Sequence, residues 1–142
     1  MPRAVCVDTS AFVAAANRAE GERHQRAASE FARLAAAQVP LFFSNYVLSE
    51  TLTLLRRRAG LQVALHFLAG LASSPRLDAR RASVREEKAA LDVFRRYREV
   101  PLSHCDCVTV AMMKARRTHE IFTFDDDFRS LGLVVLPLPD ST

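Results

Sequence analysis

Four acidic side chains stand where a folded chain could make them act together: Asp8, Glu50, Asp106 and Asp125. Asp8 ends the apolar run Ala4-Val5-Cys6-Val7, and Asp125 follows Glu120-Ile121-Phe122-Thr123-Phe124, so each falls at the carboxyl end of an expected strand. In open α/β sheets, ligands bind beyond the carboxyl ends of the strands, so these two acids share a crevice if their strands are neighbours. Each also has a plain structural reading, as the cap of the helix that follows it. Glu50 lies on an expected helix opened by Asn45 as N-cap, at the border of the apolar arc of Val47, Leu48, Thr51, Leu52, Leu54 and Leu55. A carboxylate there is expected to be partly desolvated and in want of a cation or a donor, with an ordinary surface position as the alternative. Asp106 closes the spacing Ser103-His104-Cys105-Asp106, a capping box that is sufficient by itself to explain it. It also opens a helix whose next residues are almost all apolar, which lets it face a cleft as well as cap.

Several carboxylate oxygens meeting in one place suit a hard cation such as Mg²⁺ or Mn²⁺. Packed together without a cation they would repel, and some would take up protons. One or two such ions can activate water and stabilise in-line displacement at a phosphodiester. Spacing alone leaves the capping and the cation readings both open.

The elements that must position these acids alternate between strand and helix. Strands are expected over 4–7, 39–43, 120–124 and 133–136, with a weaker one around 77–82. Helices are expected over 11–17, 21–38, 45–58, 61–71, 84–98 and 103–116, with a helical turn over 125–130. Short strands that are apolar throughout, rather than alternating, indicate a parallel sheet covered on both faces. The expectation is one α/β domain filling 1–142, with its core at 4–136 and a loose polar tail at 137–142.

Bulk composition narrows the function classes. A chain of 142 residues with 49% hydrophobic and 25% charged content is an ordinary globular domain, with enough length to bury a core. No run approaches the roughly 18 apolar residues of a membrane span, and the N-terminus lacks the apolar region of a signal peptide. A cytoplasmic protein without a membrane partner is expected. Three cysteines, Cys6, Cys105 and Cys107, with no C-x-x-C pair, argue against a disulfide framework and a zinc site. The net charge of +4 is carried mostly by arginine, in clusters such as Arg56-Arg57-Arg58 and Arg95-Arg96. Guanidinium forks suit phosphate oxygens, although a solvated arginine-rich surface explains the same composition.

These segments together resemble the PIN-domain family, and within it the VapC-like toxins of bacterial toxin–antitoxin pairs. The resemblance rests on Val7-Asp8-Thr9-Ser10-Ala11-Phe12, on Ser44-Asn45-Tyr46-Val47-Leu48-Ser49-Glu50-Thr51-Leu52, and on Phe94-Arg95-Arg96-Tyr97. It continues through Leu102-Ser103-His104-Cys105-Asp106-Cys107 and Phe122-Thr123-Phe124-Asp125-Asp126-Asp127-Phe128, in order, over about 5–136. It implies a three-layer α/β/α sandwich with a central parallel sheet. It also implies an acidic quartet, mapped here onto Asp8, Glu50, Asp106 and Asp125, that binds Mg²⁺ or Mn²⁺ for RNA hydrolysis. The expected products are a 5′-phosphate and a 3′-hydroxyl. A homodimer and a small antitoxin partner are implied too. Because Asp125, Asp126 and Asp127 are consecutive, the ligand is placed at Asp125, with Asp127 in a supporting place at the metal and Asp126 solvated. Thr9, Asn45 and Thr123 are candidates for hydrogen-bonding the ligands or the phosphate, Asn45 also having a purely structural reading.

Other readings are weighed against these. A PIN-like module that holds RNA or protein without cutting is expected to lose one of the four acids, and all four are present. The Asp-x-Asp start of haloacid-dehalogenase-type phosphatases is missing, since Thr9 and Ser10 follow Asp8. A receiver domain would want a lysine after its last strand, where Pro137 stands. His24, Cys105, Cys107, Met112 and Met113 are expected to pack rather than to react, and His104 occupies a variable position of its motif.

Overall fold

The computed structural model describes residues 2–139; the end of the expected tail, 140–142, lies outside the described residues. Thirteen elements follow in order, eleven of them regular strands and α-helices. They are β1 Val5–Val7, α1 Thr9–Ala16, α2 Glu22–Ala36, β2 Leu41–Ser44, α3 Asn45–Arg58, α4 Leu61–Ala72, β3 Leu77–Arg80, α5 Val84–Arg96, α6 His104–Arg116, β4 Glu120–Phe122 and β5 Val134–Leu136. Two 3-10 turns, Arg18–Glu20 and Asp126–Leu131, complete the order. All five strands form one parallel sheet in the order β3-β2-β1-β4-β5. The weak strand expected around 77–82 is therefore real, and it forms an edge. Its exposure and the Asp78–Arg80 ion pair of 2.6 Å put charge on that edge, which discourages pairing with another chain.

The sheet is apolar on both faces because helices cover both. Val5, Val7, Phe43, Phe122 and Leu136 point to one side, against α1, α2 and α4; Phe12 packs edge-on to Phe43 there, at 4.8 Å between ring centroids. Cys6, Phe42, Ile121 and Val135 point to the other, against Ala90 and Val93 of α5 and the apolar length of α6. Helix α6 is buried from Cys107 to Met113 because it lies between sheet and α5. The result is the expected three-layer α/β/α sandwich. No helix among the described residues is long and apolar enough to cross a membrane.

Helix starts follow local chemistry. Ser83 and Glu86 close a capping box at α5, and Ser103 and Asp106 close another at α6. One expectation is corrected here. Ser44, not Asn45, caps α3, its Oγ accepting the Val47 N–H at 3.1 Å. Asn45 is already helical, and its Oδ1 instead accepts the Ala82 N–H at 2.9 Å, pinning the loop after β3.

Chain order and strand order set the crevice. The chain runs outward from the central strand β1 to β2 and β3, then returns to lay β4 and β5 on the other side. The direction of winding reverses between β1 and β4, and a crevice opens at their carboxyl ends.

Candidate functional site

Asp8 and Asp125 flank that reversal. The Asp8 N–H extends the β1–β4 ladder by donating to the Phe122 carbonyl at 2.9 Å, so the Asp8 side chain emerges at the crevice floor. Strand β4 ends at Phe122, earlier than expected. Thr123 still donates its N–H to Leu136 at 3.1 Å, and the chain then turns, which sets Asp125 at the mouth rather than on the strand.

The two sides are stitched by hydroxyls. Thr123 Oγ1 donates to Asp8 Oδ2 at 2.7 Å and accepts the Asp125 N–H at 3.0 Å. Ser10 Oγ lies 3.0 Å from the same Asp8 oxygen and accepts the Phe124 N–H at 2.9 Å. Thr123 Oγ1 thus hydrogen-bonds two of the four acids singled out in the sequence. Ser10 was not singled out by its type or spacing; only the folded proximity of α1 and β4 shows its part. Thr9 Oγ1 is buried with no nitrogen or oxygen partner, beside the Cys105 thiol. Among the described residues Thr51 and Thr109 Oγ1 are buried in the same way, so the hydroxyl alone does not mark a ligand.

Asp8, Glu50, Asp106 and Asp125 line a single pocket of about 300 Å³, at whose wall Ser10 and Ser103 also stand. Four acids from four separate segments are therefore gathered in one place. Asp106 lies at the third position of α6, where its Oδ2 accepts the Ser103 N–H at 3.0 Å while its own N–H donates to Ser103 Oγ at 3.1 Å. The capping box and the pocket position are thus compatible, since a carboxylate has more than one lone pair to offer. Glu50 departs from its expected partial desolvation. Val47, Thr51 and Leu55 form the buried face of α3, and Glu50 sits just off it, exposed at the pocket rim. Asp127 does not line the pocket; it donates its backbone N–H to Asp125 Oδ1 at 2.9 Å. Asp126 is exposed and pairs with Arg129 at 3.1 Å, as suits a solvated position.

The electrostatics record the crowding. Burial pushes the Asp8 carboxyl above its ordinary value, against the hydrogen bonds from Thr123 and Ser10, and the charge of Asp125 adds to the rise. Asp106 is pushed up to about 6, first by burial and further by Asp8 and Asp125, with the Ser103 cap opposing. The Cys105 thiol is pushed up by burial, Glu50, Asp8 and Asp106, so it stays protonated and packs rather than ligates. Among the described residues no three Asp, Glu, His or Cys side chains are already closed around a point. The acids ring a pocket, with Asp106 and Asp125 each accepting a backbone N–H.

Sequence reasoning missed Glu20 and Arg23 as members of this wall, and read Arg58 only as part of a phosphate-suited arginine cluster. Glu20 belongs to the short 3-10 turn capped by Asn17, and nothing local marks it. The remaining candidates keep structural places. His24 Nδ1 meets the Ala14 carbonyl at 2.9 Å, joining α2 to α1. His104 is exposed with its ring edge-on to Tyr46, 5.3 Å between centroids, and does not line the pocket.

Comparison with known proteins adds to this geometry. The PIN domain family matches residues 5–133. The 23S rRNA-specific endonuclease VapC20 of Mycobacterium tuberculosis is 35% identical over 132 residues, spanning 92% of this chain and 95% of that protein. The crystal structure of that organism's VapC20, described as a Sarcin-Ricin loop cleaving toxin, matches with a TM-score of 0.80 at 32% identity. The match covers 92% of this chain and 97% of that one. VapBC2 from Rickettsia felis, bound to a DNA fragment from their promoter, shares the fold at a TM-score of 0.71 and 15% identity, over 92% and 96% of the two chains.

Proposed function

Because the chain belongs to the PIN-domain family, we propose that it is a Mg²⁺- or Mn²⁺-dependent endoribonuclease and the toxin of a toxin–antitoxin pair. The observation that carries this reading is the meeting of Asp8, Glu50, Asp106 and Asp125 around one pocket at the carboxyl ends of a parallel sheet. The donor set fits the ion. It is all hard oxygen, and the rise of Asp8 and Asp106 by burial and by neighbouring carboxylates is a penalty that a cation would relieve.

A bound divalent ion would supply Lewis acidity toward a phosphoryl oxygen and toward water. The chain's own residues do the rest. Asp8, fixed by Thr123 and Ser10, is the rigid ligand at the floor. Asp106 and Asp125 enter from α6 and from the turn after β4, and Glu50 closes the rim from α3. Hydrolysis adds the hydroxyl of water to phosphorus, breaks the bond to the 3′-oxygen and returns a proton to that oxygen. A 5′-phosphate and a 3′-hydroxyl result, with no need of the 2′-hydroxyl as nucleophile. Its partners on this reading are RNA, a small antitoxin and a second copy of the chain. The name of the Mycobacterium tuberculosis relative makes 23S rRNA the first substrate to try.

The test is induction in a bacterial host beside assays of the purified protein on total RNA. Growth arrest with discrete fragments, lost in Asp8→Ala and Asp106→Ala, is expected. Cleavage by Asp8→Asn at the wild-type rate with Mn²⁺ supplied would overturn the mechanism.

A further inference from the structure

Two cations stand in the wall of a pocket otherwise lined with carboxylates. Arg23 is near the start of α2 and Arg58 ends α3. Helix α1, which contributes Ser10 and Val13 to the pocket, packs against both α2 and α3, so the arginines reach the pocket from two different helices that share α1 as a neighbour. A structural role for either would be an ion pair with one of the five acids there, Asp8, Glu20, Glu50, Asp106 or Asp125. Neither makes one among the described residues, although five other arginines of the chain do. Both side chains are exposed. The Arg23 guanidinium lies 5.7 Å from the centre of the Phe124 ring, next in sequence to Asp125, and that stacking limits the freedom it would lose on binding.

Spacing along α3 says which phosphate Arg58 can reach. Glu50, Leu54 and Arg58 follow at i, i+4 and i+8 on one face, so Arg58 lies about 12 Å along the helix axis from Glu50. The arginine side chain leans back along the helix toward Glu50 and spans part of that rise, which suits a phosphate neighbouring the one at the carboxylates.

We infer that Arg23 and Arg58 clamp an RNA strand at two separate points of the carboxylate pocket's wall, binding phosphates that flank the one being cut. The inference rests on the nuclease reading of the same pocket. It assigns the two arginines to substrate positioning and leaves the other clustered arginines as general surface charge. Guanidinium forks match phosphate oxygens in two-point contacts, and flanking contacts hold the strand in register without entering the reaction.

The test measures binding apart from cleavage. A fluorescein-labelled single-stranded RNA is titrated by anisotropy with EDTA present, across a salt series, using wild type, Arg23→Ala and Arg58→Ala. Arg117→Ala, at the far end of α6 from Asp106, controls for loss of one positive charge. Each clamp variant is expected to bind about tenfold more weakly, with the slope of log affinity against log salt shallower by about 0.7. Arg117→Ala should match wild type in slope. With metal, the clamp variants should show raised KM and nearly unchanged kcat, and Arg58→Lys should recover part of the affinity. Wild-type affinity and slope in Arg23→Ala and Arg58→Ala would overturn the clamp, and the nuclease reading would stand if wild type still cuts. Wild type that binds through these arginines and never cuts would instead keep the clamp and sink the nuclease reading. A wild type that neither binds nor cuts RNA would remove both.

Discussion

Thr123 Oγ1 and Asp8 Oδ2 lie 2.7 Å apart, although 115 positions separate them in the chain. The same hydroxyl accepts the Asp125 N–H, so one side chain fixes an acid on each side of the sheet's reversal point. A hydroxyl with one proton and two lone pairs can serve both, and Ser10 does the same for Asp8 and Phe124.

Thr123→Val keeps the shape of the side chain and removes both bonds. It leaves the buried Asp8 carboxylate short of a donor and the Asp125 N–H unpaired, at a cost of about 1–3 kcal/mol in unfolding free energy. Because partners of metal ligands act through ligand orientation, cleavage should also fall about 10–100-fold. Thr123→Ser should retain most of both. Urea unfolding and rates measured over a Mn²⁺ series check this, and full activity in Thr123→Val would remove the hydroxyl from the site.

The three consecutive acids Asp125, Asp126 and Asp127 separate by place. Asp125 lines the pocket, Asp126 faces solvent and pairs with Arg129, and Asp127 contributes its backbone N–H. Asp125→Asn is therefore expected to lower cleavage by more than about a hundredfold, consistent with losing a ligand rather than a neighbour of one. Asp126→Asn should leave cleavage within about twofold, as a surface change does. Asp127→Asn should stay near wild type as well, since its N–H remains. A larger loss in Asp127→Asn than in Asp125→Asn would reverse the assignment.

What was legible in the sequence is what local chemistry determines. Apolar triplets such as Val5-Cys6-Val7 declare buried strands, and Ser103-x-x-Asp106 declares a helix start, because each signal lies within a few residues of its effect. Asp8, Asp106 and Asp125 were legible for the same reason, standing at element ends, whereas Glu50 was legible from its place beside the apolar arc of α3. The pocket's other members were not. Ser10, Glu20 and Arg23 carry no local mark and Arg58 only that of its arginine cluster, and they meet only because α1, α2 and α3 pack together beside the end of β1. Asn45 shows the opposite failure. Its type suits an N-cap, but Ser44 stands one residue earlier and takes the role, freeing Asn45 to bind Ala82.

Ser103→Ala tests whether Asp106 is more than a cap. The variant loses the bond from Asp106 N–H to Ser103 Oγ, costing about 1 kcal/mol of stability. The Ser103 backbone still donates to Asp106 Oδ2, so the carboxylate keeps its orientation. Cleavage by Ser103→Ala should then stay within about tenfold of wild type, whereas Asp106→Ala, losing a ligand, should abolish it. Melting temperatures and initial rates of the two variants decide it. Equal activity loss in both would reduce Asp106 to its capping function.

The raised carboxyls make stability of the metal-free protein depend on pH with a definite sign. Asp106 binds its proton near pH 6 when folded and near its ordinary 3.8 when unfolded, and Asp8 is displaced in the same direction. Between those values the folded chain holds more protons than the unfolded one, so the contribution of these groups to stability falls as pH rises through about 6 and is flat above it. In EDTA, wild type should therefore lose melting temperature between about pH 4 and about pH 6 relative to Asp106→Asn, whose side chain does not titrate. A divalent ion reverses the penalty. At about a hundredfold excess over its dissociation constant it should stabilise the neutral-pH protein by about 2.7 kcal/mol. That gain should shrink as protons compete below about pH 6, and it should vanish in Asp8→Asn. Scanning calorimetry across pH, with and without Mn²⁺, reads both effects. An ion-induced shift that survives in Asp8→Asn would place the ion somewhere other than this pocket.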